Sequence, residues 1–152
     1  MVKVNPAEKK FDAKRWAAFC ARWGFSFPDA FISYLKRYND GELEPNMLPL
    51  PDNGCMVRYF YGTSDDDCAD METVYGWYQE RLPKNCVPIA DPDFGNLICI
   101  SLAADTYGKI YFWDHETMDA EEDEMCTLSL HDLIPVAESF EDLLKQIKDS
   151  PY

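Results

Sequence analysis

The sequence predicts an α+β fold, an antiparallel β-sheet flanked by helices at both ends of the chain. Three observations carry this. Apolar residues recur at helical spacing near both termini: Trp16, Phe19, Cys20 and Trp23 at one end, and Phe140, Leu143, Leu144 and Ile147 at the other. Short runs of β-forming residues occupy the middle of the chain. The turns between those runs are too short for crossovers, so neighbouring strands pair antiparallel. A chain of 152 residues fits one domain of ordinary size, residues 1–152.

The elements follow in order. Asn5-Pro6-Ala7-Glu8 offers a cap, a proline at the first helical position and an early acid, which starts a helix over about 6–23 that Gly24 stops. Pro28 starts a second helix, with Phe31, Ile32, Leu35 and Tyr38 on its apolar face and Asn39-Asp40-Gly41 at its end. Pro45, Pro49 and Pro51 make residues 42–54 a loop or a broken edge strand. Met56–Tyr61 reads as a strand. Ser64-Asp65-Asp66-Asp67 is a turn whose carboxylates favour a following helix, expected over about 69–81 and ending before Pro83. Val87–Ala90, Leu97–Leu102 and Lys109–His115 are strands, with turns between them. On the last of these, Ile110 and Phe112 alternate with Tyr111 and Trp113, so both faces are apolar and the strand is central. Cys126–Leu130 is a further strand candidate. Ser139, with Asp142 three residues on, caps the C-terminal helix.

Charge is unevenly distributed. The formal net charge is −14, with 28 acidic residues against 14 basic. Residues 1–38 nevertheless carry a net +5, and the remainder −19. Phe112–Leu144 contains eleven acids and no lysine or arginine. Such a molecule repels phosphate, so nucleic acid and anionic membranes are excluded as partners and basic proteins are favoured. No apolar run reaches the roughly 20 residues of a membrane span. The first residues, Met1-Val2-Lys3-Val4, lack an apolar signal core, and the expected location is the cytoplasm. The six cysteines show no C-x-x-C spacing, so they are expected to be reduced thiols with no zinc site.

Phe27-Pro28-Asp29-Ala30-Phe31 with Leu35 and Asn39-Asp40-Gly41, then Pro88-Ile89-Ala90-Asp91, Phe94-Gly95-Asn96, Gly108–Glu116 and Ala137–Leu144, follow one another in an order that resembles the SUKH superfamily, the Smi/Knr-like domain. The similarity runs from about 25 to 147. Asp40 and the acidic loop depart from the family pattern. The resemblance implies an antiparallel sheet flanked by helices, with Gly41, Gly95 and Gly108 at turns of positive φ and Ile110, Phe112 and Phe140 in the core. It also implies a non-enzymatic binding protein. Bacterial members are mostly immunity proteins that neutralise a cognate polymorphic or contact-dependent toxin, often a nuclease or deaminase. Fungal members serve as regulatory interaction domains with no toxin partner, which is the alternative reading.

The residues themselves show no nucleophile elbow, P-loop or dinucleotide fingerprint. His115 between Asp114 and Glu116 lacks convergent ligands, because neighbouring strand residues point to opposite faces. Asp119–Glu124 lacks the glycine and spacing of a calcium loop. No metal or cofactor is expected. The candidate partner-binding residues are Asp65, Asp66, Asp67, Asp70 and Glu72 with Tyr75 and Trp77, read as an acidic rim around aromatic anchors, and Glu121, Glu122, Asp123 and Glu124. The expected partner is a protein toxin with a basic surface. Against this stands the simpler reading of acids as a solvated, solubilising surface.

Overall fold

The computed structural model describes residues 3–44, 47–49, 54–92, 96–113, 129 and 132–147. Its main sheet has four antiparallel strands in sequence order: β5 (Cys86–Ala90), β6 (Leu97–Ser101), β7 (Ile110–Trp113) and β8 (Ile134–Ala137). Ahead of it, β1 (Lys3–Val4) pairs with β2 (Leu43–Glu44), and β3 (Met47–Pro49) with β4 (Gly54–Met56), both antiparallel. The helices are α1 (Ala13–Trp23), α2 (Asp29–Tyr38), α3 (Met71–Tyr78) and α4 (Phe140–Gln146), with a 3-10 turn at Ala104–Thr106. The fold is α+β, as the sequence predicts.

Strand alternation sorts the main sheet into two apolar faces. Val87, Ile89, Ile98, Ile100, Ile110 and Phe112 join the large core with the helices. Cys86, Leu97, Cys99, Tyr111 and Trp113 form a second cluster with Leu82 and Leu133. β7 lies between β6 and β8 with all four residues buried, which explains its two apolar faces. On the large-core side the packing is aromatic. The Phe140 ring of α4 lies 5.0 Å from Phe31, 5.3 Å from Tyr34 and 5.0 Å from Phe60, each edge-on. Cys86 and Cys99 are fully buried thiols, and Cys20 and Cys68 are thiols nearer the surface.

Several elements differ from expectation for identifiable reasons. The first helix starts at Ala13 rather than near Pro6, because Asp12 is its cap and accepts from the N–H groups of Lys14 and Arg15 at 3.1 Å. The chain before it is tied down elsewhere, with Asn5 N–H donating to the Glu42 carbonyl at 2.8 Å. Residues 57–61 belong to no strand, although Leu43 N–H reaches the Arg58 carbonyl and Tyr61 N–H the Ile89 carbonyl. β8 was not expected. It is a four-residue edge strand containing Pro135, with a bulge opposite Ile110 and Tyr111, and its Val136 carbonyl accepts from Gln146 Nε2 at 3.0 Å. Gly108 has the expected positive φ, +85°, but Gly41 does not. Gly41 is needed for close approach: a Cβ there would lie 2.2 Å from the Asn5 carbonyl oxygen. Gly95 and, apart from Ser129, the Cys126–Leu130 candidate lie outside the described residues.

Candidate functional site

The unequal charge of the two parts of the chain is resolved by contact between them. Three basic residues, Lys9 ahead of α1 and Arg15 and Arg22 on it, fold onto the acids that follow residue 63. Lys9 Nζ pairs with Asp65, and Arg22 with Glu72. Arg15 Nη2 donates to Asp70 Oδ1 at 2.8 Å and to the Ser64 carbonyl at 2.6 Å, while Nη1 lies 3.6 Å from Asp65.

Asp70 is an internal strut and not part of an exposed rim. Its side chain is 6% exposed and caps α3, accepting from Thr73 N–H at 3.2 Å, Thr73 Oγ1 at 2.8 Å and Ser64 N–H at 3.1 Å. Tyr75 also lies inside, with its ring 5.0 Å from Trp23, 5.1 Å from Phe25 and 6.4 Å from Phe19. The aromatic patch expected around it reduces to Trp77, which is 56% exposed. Asp65, Asp66 and Asp67 are exposed. Asp66 accepts from Cys68 N–H at 3.0 Å, which closes a tight turn and leaves Asp67 at its tip. Glu121, Glu122, Asp123 and Glu124, together with Asp114, His115, Glu116 and His131, lie outside the described residues.

The structure brings together acids that the sequence scatters. A cleft of about 350 Å³ opens between residues 5–9, the 40–42 turn and the 64–66 loop. Glu8, Asp40, Glu42, Asp65 and Asp66 line it, and Lys9 is the only lysine or arginine among its described lining residues. Burial pushes the Asp40 carboxyl above the usual carboxylate range, and Asp66 and Glu8 push it further, against hydrogen bonds from its own backbone and Ser64. Burial likewise raises the Tyr59 hydroxyl to about 12, with Asp91 next in effect. A cleft so lined attracts ammonium and guanidinium groups. Among the described residues no group of three or more His, Cys, Asp or Glu is arranged to hold a metal ion, and no helix is long and apolar enough to cross a membrane. Glu8, Asp40 and Glu42 were absent from the sequence-derived candidates. The available signal was Asp40, an acid in the closing turn of α2 that departs from the family pattern.

A sequence model of the SMI1 / KNR4 family (SUKH-1) matches residues 10–146. The match takes in α1, which the resemblance read from the sequence left outside the shared region, and ends with the last residue of α4. A curated relative, the SPbeta prophage-derived uncharacterized protein YokK of Bacillus subtilis (strain 168), is 31% identical over 120 residues, or 79% of this chain and 55% of that protein. The chain thus spans little more than half the length of this relative.

Proposed function

The chain belongs to the SMI1 / KNR4 family (SUKH-1), and from that premise we propose that it is a non-enzymatic, cytoplasmic immunity protein that binds and neutralises a cognate toxin with a basic surface. The observation that carries this reading is the acidic cleft. An enzyme that acts on nucleic acid presents lysines and arginines to phosphate. A rigid surface with several converging carboxylates competes for those same side chains and covers the groove they line. Lys9 on Asp65 supports the reading, because a basic side chain of the molecule itself pairs with an acid of the cleft. Of the residues singled out by sequence, Asp65, Asp66, Asp67 and Trp77 serve at the surface in this reading, Glu72 is shared with Arg22, and Asp70 and Tyr75 support from within. Glu121, Glu122, Asp123 and Glu124 enter it through charge alone.

The test uses the C-terminal effector domain of a toxin encoded beside this gene. Co-expression should restore growth to cells producing that domain. The association rate should fall as salt rises past about 0.1 M, where the screening length is about 10 Å. Replacing Glu8, Asp40 and Asp66 by their amides should slow association more than it speeds dissociation. Absence of both protection and binding would overturn the toxin reading and leave a regulatory interaction domain as the alternative.

A further inference from the structure

We infer that Asn39 is the positioning residue of the acidic cleft: its buried side-chain amide clamps the N-terminal segment and the 63–66 loop together against the end of α2. Calling the cleft a binding surface rests on the proposed function; the clamp itself does not.

Asn39 follows the last residue of α2 with φ +46° and ψ −126°, a positive-φ backbone, outside the left-handed helical basin, that glycine adopts at least cost. It is 2% exposed. Buried that deeply, an amide needs partners for both its N–H groups and its oxygen. Asn39 has all three. Oδ1 accepts from Thr63 N–H at 3.0 Å, and Nδ2 donates to the Thr63 carbonyl at 2.8 Å and to the Lys9 carbonyl at 3.2 Å. The side chain thus pairs with Thr63 as a neighbouring strand would, and spends its remaining donor on the N-terminal segment. Thr63 closes the circuit, because its Oγ1 accepts from Asp12 N–H at 2.8 Å at the start of α1.

Two glycines make room for this clamp. A Cβ on Gly62 would lie 2.0 Å from Asn39 Oδ1, and one on Gly41 would lie 2.2 Å from the Asn5 carbonyl. Each wall of the cleft is therefore close in sequence to an atom the clamp holds. Asp40 is the next residue after Asn39, Glu8 precedes Lys9, and Ser64, Asp65 and Asp66 follow Thr63. No other side chain reproduces the fork. Aspartate keeps the acceptor and loses both donors, and glutamine is one methylene too long.

The test needs no toxin. In the wild-type protein the Asn39 side-chain NH2 protons should exchange slowly with solvent, as fully bonded buried protons do. In Asn39→Gly, which permits the same backbone, Thr63 N–H should exchange about tenfold faster or more while α4 amides keep their protection. The Asp40 carboxyl shares the cleft lining with Glu8, Lys9, Glu42, Asp65 and Asp66. Followed by carbon NMR, it should titrate closer to ordinary aspartate in that variant, because the walls that bury it separate. A purely structural role elsewhere in the fold would leave that titration unchanged. Asn39→Asp should speed Thr63 N–H exchange as Asn39→Gly does; its Asp40 titration is no readout, because the new carboxylate beside Asp40 pushes that pKa up by its own charge. Fast exchange of the wild-type Asn39 amide would overturn the inference, as would an Asn39→Gly protein with wild-type Thr63 exchange and Asp40 titration. If these readouts hold but a hexa-arginine peptide fails to bind the wild-type protein, the binding reading of the cleft fails and the clamp stands.

Discussion

Arg15 and Asp70, 55 residues apart in sequence, meet through a 2.8 Å hydrogen bond from Nη2 to Oδ1, with the carboxylate buried and the guanidinium partly in solvent. This contact ties α1 to the cap of α3 and orders the loop between Gly62 and Asp70, whose ends are joined by hydrogen bonds from Gly62 N–H to the Ala69 carbonyl and from Met71 N–H to the Gly62 carbonyl. It also changes what the charge of the sequence means. Much of the acidity of residues 65–72 is matched by the molecule's own cations. The surplus sits in the cleft and at the loop tip.

Asp70→Ala should destabilise the protein more than Arg15→Ala. Removing Asp70 takes away a helix cap, worth about 0.5–2 kcal/mol, and leaves buried donors on Ser64 and Thr73 unpaired at about 1–3 kcal/mol. Removing Arg15 leaves Asp70 with its donors from Ser64 and Thr73, and should cost on the order of 1 kcal/mol. Urea denaturation of both single variants and the double variant measures this. The double variant should be more stable than the sum of the singles implies, since the two residues share one contact. Additive losses would show that the contact contributes nothing of its own.

The parts of the fold legible in sequence are those where periodicity and punctuation agree. Pro28 opens α2, Ser139 caps α4 with its Oγ accepting from Asp142 N–H at 3.0 Å, and β7 alternates as a strand covered on both faces. What stayed hidden depended on distant partners. The segment 5–11 has a helix-start pattern, but its backbone is taken up by Glu42 and by the Asn39 amide. Tyr75 and Trp77 look alike in sequence, and one step along α3 past Gly76 separates a buried ring from an exposed one. The cleft was illegible as a unit, because its acids come from three segments that no local pattern connects.

Tyr75 and Trp77 should separate cleanly on mutation. Tyr75→Ala removes a buried ring packed edge-on against Phe25 and Trp23 and should cost about 3–5 kcal/mol, as core aromatic truncations do. Trp77→Ala should change stability by no more than about 0.5 kcal/mol, the range of exposed positions. Chemical denaturation of the two variants, followed by circular dichroism, checks the contrast. A large loss from Trp77→Ala would mean that its ring is packed and not available to a partner.

Phe140→Ala should cost about 3–5 kcal/mol. The ring closes α4 against α2 and Phe60 and is 2% exposed, and a cavity lined by rings relaxes poorly. A loss below about 1 kcal/mol in urea would show that α4 is peripheral to the core.

Asp40→Asn should stabilise the protein, and the gain should depend on pH in one direction. Burial, then Asp66 and Glu8, raise the Asp40 pKa in the folded state, so the folded protein holds this proton to higher pH than the unfolded chain does. Stability contributed by the group is therefore full below the ordinary aspartate pKa and is lost as pH rises through the raised folded value. Asparagine cannot ionise and loses nothing over that window, while its carbonyl can still accept from Ser64. The stability difference, variant minus wild type, should be smallest near pH 3, grow through the mildly acidic range, and stay level by about pH 7. Because the other carboxylates titrate in both proteins, only this difference is informative, and urea midpoints at several pH values supply it. A difference that shrinks as pH rises would mean that the hydrogen bond from Ser64 outweighs burial, and that the cleft holds the Asp40 charge comfortably without a partner.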